Sequence, residues 1–246
     1  MSRFCLLVAG AFAGAIMAAP AARADRPACD VPQELSQADI KLPRFAALIG
    51  AHQPVKIVAI GGGSTIGAAA GSPDLAYPHR LELALAKVFP EVSITVLNKG
   101  VPRQSARQML DRFPKDVLAE DPALVIWETG IVDATRGVEP DEFAAAVEDG
   151  IDEVKRRSID MLLVDMQFSR KTTELIDFDR YLRALHRVGE INDLYVFPRY
   201  QMMRYWSEQN VFNFEETSAS DRAGLAARVY DCLGRRLAEA IRLAVQ

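Results

Sequence analysis

Short apolar runs recur along the chain, separated by longer stretches of mixed character. Near-continuous runs stand at residues 55–60 (VKIVAI), 123–127 (ALVIW) and 161–165 (MLLVD), with a more mixed one at 92–97 and a short one at 194–197. Runs with no polar face suit strands covered on both sides, as in a parallel sheet. The intervening stretches carry recurring apolar residues, such as Leu81, Leu83, Leu85 and Val88. They predict helices over 79–88, 105–112, 142–156, 173–188, 199–207 and 221–243, with a short one near 44–49. Strand alternating with helix predicts a three-layer α/β/α fold around a flavodoxin-like, five-stranded parallel sheet. Ligands of such sheets bind beyond the carboxyl ends of the strands, so chemistry is expected there.

The N-terminus reads differently. Arg3 precedes an apolar run over 4–19, and Ala22-Arg23-Ala24 supplies a small-x-small cleavage site before Asp25. That layout is a secretory signal peptide over 1–24. The run is short for a membrane anchor, and no later segment suits a span. A periplasmic or secreted protein is expected, with a lead-in over 25–54 and one domain over 55–246, about 220 residues in all. The formal charge of −4 falls further once Arg3 and Arg23 are removed. An acidic chain without a basic cluster is a poor nucleic-acid binder. Cys5 leaves with the signal, so Cys29 and Cys232 remain. In an oxidising compartment they are expected to form one disulfide, with two buried free thiols as the alternative.

The first strand ends in Gly61-Gly62-Gly63-Ser64-Thr65-Ile66-Gly67. Such a turn can hold an anion on its backbone N–H groups or serve only as a tight strand-to-helix connection. It lacks the GKS or GKT of a P-loop, and Ile66 stands where a dinucleotide fingerprint needs its third glycine. Glu128 and Asp165 form no metal motif. No cofactor is therefore expected. Glu128, Asp133, Arg136 and Asp221 are candidates either to line a pocket or to form solvated ion pairs. The aromatic, basic stretch 197–206 reads as a partner-facing surface or, more plainly, as a helix with a buried aromatic stripe.

Taken in order, the strand ends resemble the blocks of the SGNH/GDSL hydrolase family, in the form found in exported proteobacterial proteins. Gly61, Thr65 and Gly67 match the family's Gly-x-Ser-x-Thr-x-Gly. Asn98-Lys99-Gly100 is similar to its Asn-x-Gly, and Gly130-Ile131-Val132 stands at its Gly-x-Asn. Asp221-Arg222-Ala223-Gly224 stands at its Asp-x-x-His, and Tyr230-Asp231-Cys232-Leu233 resembles the Tyr-x-Cys-Leu that follows.

The resemblance implies ester hydrolysis by a serine, a histidine and an aspartate, with the oxyanion held by backbone N–H groups and an asparagine amide. Residue by residue, the nucleophile falls on Gly63, the oxyanion asparagine on Val132 and the histidine on Gly224. Gly100 and Asp221 keep the oxyanion glycine and the acid. Loss of the nucleophile or the base alone costs several orders of magnitude in rate. Two main readings follow, beside a third, a purely structural subunit of an envelope complex. One is a catalytically impaired protein that binds an acylated carbohydrate or a cell-envelope protein. The other is an esterase rebuilt around Ser64, one residue beyond the family position, with Gly100 in its oxyanion hole. His52, His79 and His186 are the chain's histidines, and each reads more readily as a surface or packing residue than as a base.

Overall fold

A computed structural model describes residues 29–37, 39–174, 176–215 and 218–245. The proposed signal segment 1–24 lies outside them. The sheet is parallel and five-stranded: β1 Val55–Gly61, β2 Ile94–Gly100, β3 Leu124–Glu128, β4 Asp160–Val164 and β5 Val196–Phe197, in the order β2-β1-β3-β4-β5. The three-layer α/β/α class and flavodoxin-like order expected from the pattern are present. Alternation along each strand divides the core into two layers. Ile57, Ala59, Leu124, Ile126, Leu162 and Val164 face one side. Val58, Ile60, Val125, Trp127, Met161 and Leu163 face the other.

The main helices are α1 Pro43–Gly50, α2 Tyr77–Val88, α3 Pro140–Lys155, α4 Phe178–Ile191, α5 Arg199–Glu208 and α6 Ala219–Leu243. Helices α1, α2, α5 and α6 cover the first face, and α3 and α4 the second. Helix α4 departs from the expected 173–188. A short helix, Arg170–Thr173, comes first and α4 opens at Phe178. The hydroxyl of Thr173 turns back to the carbonyl of Ser169 at 2.7 Å, and the Phe178 N–H bonds the carbonyl of Ile176, so the two turns are separate.

The segment ahead of β1 belongs to the same core. Leu42, Phe45 and Ile49 are buried in the first layer. The Phe45 N–H donates to Asp160 Oδ2 at 2.8 Å, joining α1 to the start of β4. Trp206 of α5 donates its indole N–H to the carbonyl of Asp30. The expected disulfide is formed: Cys29 and Cys232 are bonded across a separation of 203 residues, with Cα atoms 5.2 Å apart. The first described residue is thereby tied to the middle of α6.

Closing so long a loop stabilises the fold by roughly 4–5 kcal/mol in the chain-entropy picture. Replacing Cys29 and Cys232 by serine is expected to cost about 2–5 kcal/mol, read as a lower denaturant midpoint. Reductant should lower the wild-type midpoint and leave the variant's unchanged. Asp160 supports a second expectation. Burial holds its carboxyl above the usual carboxylate range, against the pull of the Phe45 and Arg44 N–H groups and the Arg44 charge. A carboxyl raised in the fold binds its proton more tightly there than in the unfolded chain. Its contribution is complete below about pH 4, near the unfolded pKa, and is lost as pH rises through the raised value. Wild type should therefore gain stability relative to Asp160→Asn as pH falls from about 7 to about 4.5, measured by urea unfolding at each pH.

Candidate functional site

In this strand order the sheet reverses its winding between β1 and β3, where open α/β sheets place ligands. The ends of four strands supply side chains to one cluster there. Beyond β1, the chain turns directly into a short helix, Gly63–Ile66. Gly61 is required by this turn, because a Cβ there would stand 2.1 Å from Thr65 Oγ1. The turn buries Thr65 fully and leaves Ser64 only 7% exposed.

Arg199, the first residue of α5, organises the cluster and is itself 1% exposed. Its Nη1 donates to Glu128 Oε1 at 2.9 Å, and its Nη2 donates to Ser64 Oγ at 2.8 Å and to Gln167 Oε1 at 3.3 Å. Ser64 in turn donates to Gln167 Oε1 at 3.1 Å. The other oxygen of Glu128 accepts from Thr65 Oγ1 at 2.5 Å, and Thr65 meets the Tyr77 hydroxyl at 3.2 Å. Burial is the main cause that pushes Tyr77 far above the usual tyrosine range, with the Glu128 charge adding to it. Tyr230 of α6 is raised as well, chiefly by burial, and is drawn back by Arg199 and Ser64. The hydroxyl proton of Ser64 thus lies on an amide oxygen. An amide has no useful basicity, and a general base must lie within hydrogen-bond reach of the proton it takes.

The other predicted site residues are not gathered here. Gly63 opens the short helix with free space beside it: a Cβ would find only Ala68 Cβ, at 3.9 Å. The N–H of Gly100 is turned onto the side chain of Asn98, whose Oδ1 accepts it at 3.0 Å, while Asn98 Nδ2 donates to the carbonyl of Thr65. Gly100 is held to glycine by packing, since a Cβ would lie 2.4 Å from the backbone N of Ile66. Val132 is half-buried in the helix Ile131–Arg136. Asp221 is exposed and pairs with Ser218, which caps α6 by accepting from the Asp221 N–H at 3.1 Å. Gly224 sits one turn on, with Arg228 Nη1 at 3.7 Å from a Cβ placed there. Both border a shallow cleft with Asn213 and Arg228.

The acidic and basic candidates around β3 have structural partners. Asp133 accepts from the Ala106 N–H with both oxygens, and burial raises its carboxyl. Arg136 donates to Gln108 Oε1 and to the carbonyl of Arg103. His52 faces Glu91 and His79 faces Glu82. His186 bonds Asp165, not Ser64. Sequence reasoning missed Arg199 and Gln167. The signal for Arg199 was a cation directly after an apolar strand, at a strand end where the fold class already expects chemistry.

The energetics of the pair can be tested. Glu128 is buried with Arg199 as its ion partner. Removing one member strands the other charge, which typically costs about 3–5 kcal/mol. Arg199→Met alone should show a loss of that size in denaturant unfolding, whereas Arg199→Met with Glu128→Gln should recover most of it. A double-mutant cycle with no coupling would contradict the assignment.

Residues 28–246 match the non-GDSL lipase-like family. No curated protein matches the chain. Among solved structures it is similar to a lipase/acylhydrolase of Enterococcus faecalis, at 21% identity over 76% of this chain and 95% of that one, with a TM-score of 0.62. A single-site variant of Axe2, an acetyl-xylooligosaccharide esterase of Geobacillus stearothermophilus, matches at 20% identity over 78% and 94% of the two chains, with a TM-score of 0.60. These likenesses show a shared fold. With the family match spanning all described residues, the strand-end blocks read in the sequence have their explanation: the chain belongs to the non-GDSL lipase-like family, on an SGNH/GDSL hydrolase-like fold.

Proposed function

We propose that this protein is an exported, hydrolase-fold protein that has given up ester hydrolysis and acts at the cell envelope by binding. The observation that carries the reading is the state of Ser64. Its proton lies on Gln167, its oxygen receives Arg199, and none of the three histidines bonds it. A serine hydrolase needs a base at that proton and donors aimed at the developing oxyanion. The Gly100 N–H is directed to Asn98. Solved neighbours named as acetyl-xylooligosaccharide and acetylxylan esterases make an acylated carbohydrate the favoured ligand class, with an envelope protein as the other candidate. The apolar N-terminal segment and the disulfide support export.

The competing reading is hydrolysis through Ser64. The guanidinium beside its oxygen favours it, because a neighbouring cation stabilises an alkoxide. What it lacks is a group to accept the proton.

Hydrolysis of activated acetyl and butyryl esters separates the two. Wild type and Ser64→Ala should be equally silent. Side chains fit at both glycine positions, so Gly63→Ser with Gly224→His should fold and gain measurable turnover. Wild-type turnover abolished by Ser64→Ala would instead establish an esterase rebuilt around Ser64.

A further inference from the structure

A second group of side chains stands apart from the Ser64 cluster, beyond the ends of β4 and β5. Asp165 directly follows β4 and is fully buried. Its Oδ1 accepts from the Tyr200 N–H at 2.7 Å, and its Oδ2 meets His186 Nε2 at 3.1 Å. The carboxylate therefore fixes the imidazole by one nitrogen. The other, Nδ1, has no partner among the described residues, and the histidine side chain is 41% exposed. It borders a cavity of about 320 Å³ between α4 and α5. That volume is at the small end of the roughly 300–1,000 Å³ typical of ligand sites, which suits a ligand the size of one sugar.

The remaining walls define the chemistry. Arg183 projects from α4 without an ion pair among the described residues. Arg204 comes from α5, with its Nε on Glu208. The same two helices add Asp179, an acceptor one turn from Arg183, and the amide of Gln201, with Leu182 as apolar surface. A bare anion would leave Asp179 and Gln201 unused. A neutral sugar would leave Arg183 without a counter-charge. A polyhydroxylated carboxylic acid satisfies both sets: its carboxylate on Arg183 and His186, and its hydroxyls on Asp179 and Gln201.

We propose that this cavity is a binding site for an acidic saccharide of the uronic acid type, with His186, oriented by Asp165, and Arg183 holding the carboxylate. The site is independent of the ester-hydrolysis question, because none of its side chains touches Ser64. Binding should strengthen in mild acid. A protonated imidazole adds a charge-assisted bond to the carboxylate while keeping its bond to Asp165. The charged and titratable groups facing His186 are Asp165 from the end of β4, Asp179 and Arg183 from α4, and Tyr200 and Arg204 from α5. The Arg199 charge also acts on Asp165.

The test is calorimetric titration of the disulfide-bonded protein with D-glucuronate, D-glucose and acetate, at about pH 5.5 and about pH 8. Imidazole NMR signals are followed in parallel. Glucuronate should bind saturably, several-fold tighter at the lower pH, with glucose and acetate each at least about tenfold weaker, the worth of one charge-assisted hydrogen bond. The signals of His186 should move while those of His52 and His79 stay. Arg183→Ala, at an exposed position, should fold normally and weaken glucuronate about tenfold. His186→Gln should remove the pH dependence. Equal affinity for acetate and glucuronate would overturn the saccharide assignment. Absence of saturable binding, or binding unchanged in Arg183→Ala, would overturn the site.

Discussion

The guanidinium of Arg199 is the constraint on which the carboxyl end of the sheet depends. Its ion partner Glu128 ends β3, Ser64 follows β1, Gln167 follows β4, and Arg199 itself follows β5. One planar cation thus holds the ends of four strands. A carboxylate taken out of water costs several kcal/mol after relaxation, and so does its partner, so the pair contributes little net stability against an apolar filling. Its effect is positional. With Arg199 in place, Ser64, Gln167 and Glu128 each have a fixed partner, and the hydroxyl of Thr65 is drawn to Glu128. Residues that would face a ligand in an open site instead face one another.

The same logic changes the meaning of the retained motif residues. Gly100 matches the family block, yet its N–H is occupied by Asn98 and the backbone of Ile66 leaves no room for a Cβ. Gly61 is fixed by Thr65 in the same way. These residues persist at positions where packing alone demands them. At Gly63 and Gly224, by contrast, an added Cβ would make only ordinary contacts, with Ala68 Cβ at 3.9 Å and Arg228 Nη1 at 3.7 Å. Asp221 also has a local task, beside the cap of α6. The glycines of the motif therefore build the turn, whatever side chains stand between them.

This division explains how much was legible in the sequence. The fold was, because apolar strands covered on both sides leave unbroken runs such as VKIVAI and ALVIW, and the helices between them keep their period. The strand ends followed from the same pattern to within one residue, except at β2, which runs on to Gly100. The start of α4 did not, because a hydroxyl turning back on Ser169 leaves no periodic trace. Partnerships within the site were hidden for a related reason. Arg199 and Glu128 are 71 residues apart and Ser64 and Arg199 are 135 apart. Only the closed sheet brings them together, and a charged residue after a strand reads as solvated until its burial is known. His186 looked like a packing residue on α4, and its bond to Asp165 likewise needed the fold.

Two buried carboxylates at the same end of the sheet therefore do different work. Glu128 is closed on every side, with an arginine and a threonine as partners and tyrosines behind them. Asp165 is equally buried, but its partner is a half-exposed imidazole that opens on a cavity. Burial raises the carboxyl of Asp165, and its bonds from His186 and Tyr200 oppose that rise. A ligand reaching the free face of His186 therefore acts on a bond the fold has already oriented. At Ser64 a ligand would first have to break the Arg199 cluster and leave Glu128 without its cation. A ligand approaching between α4 and α5 meets no such cost.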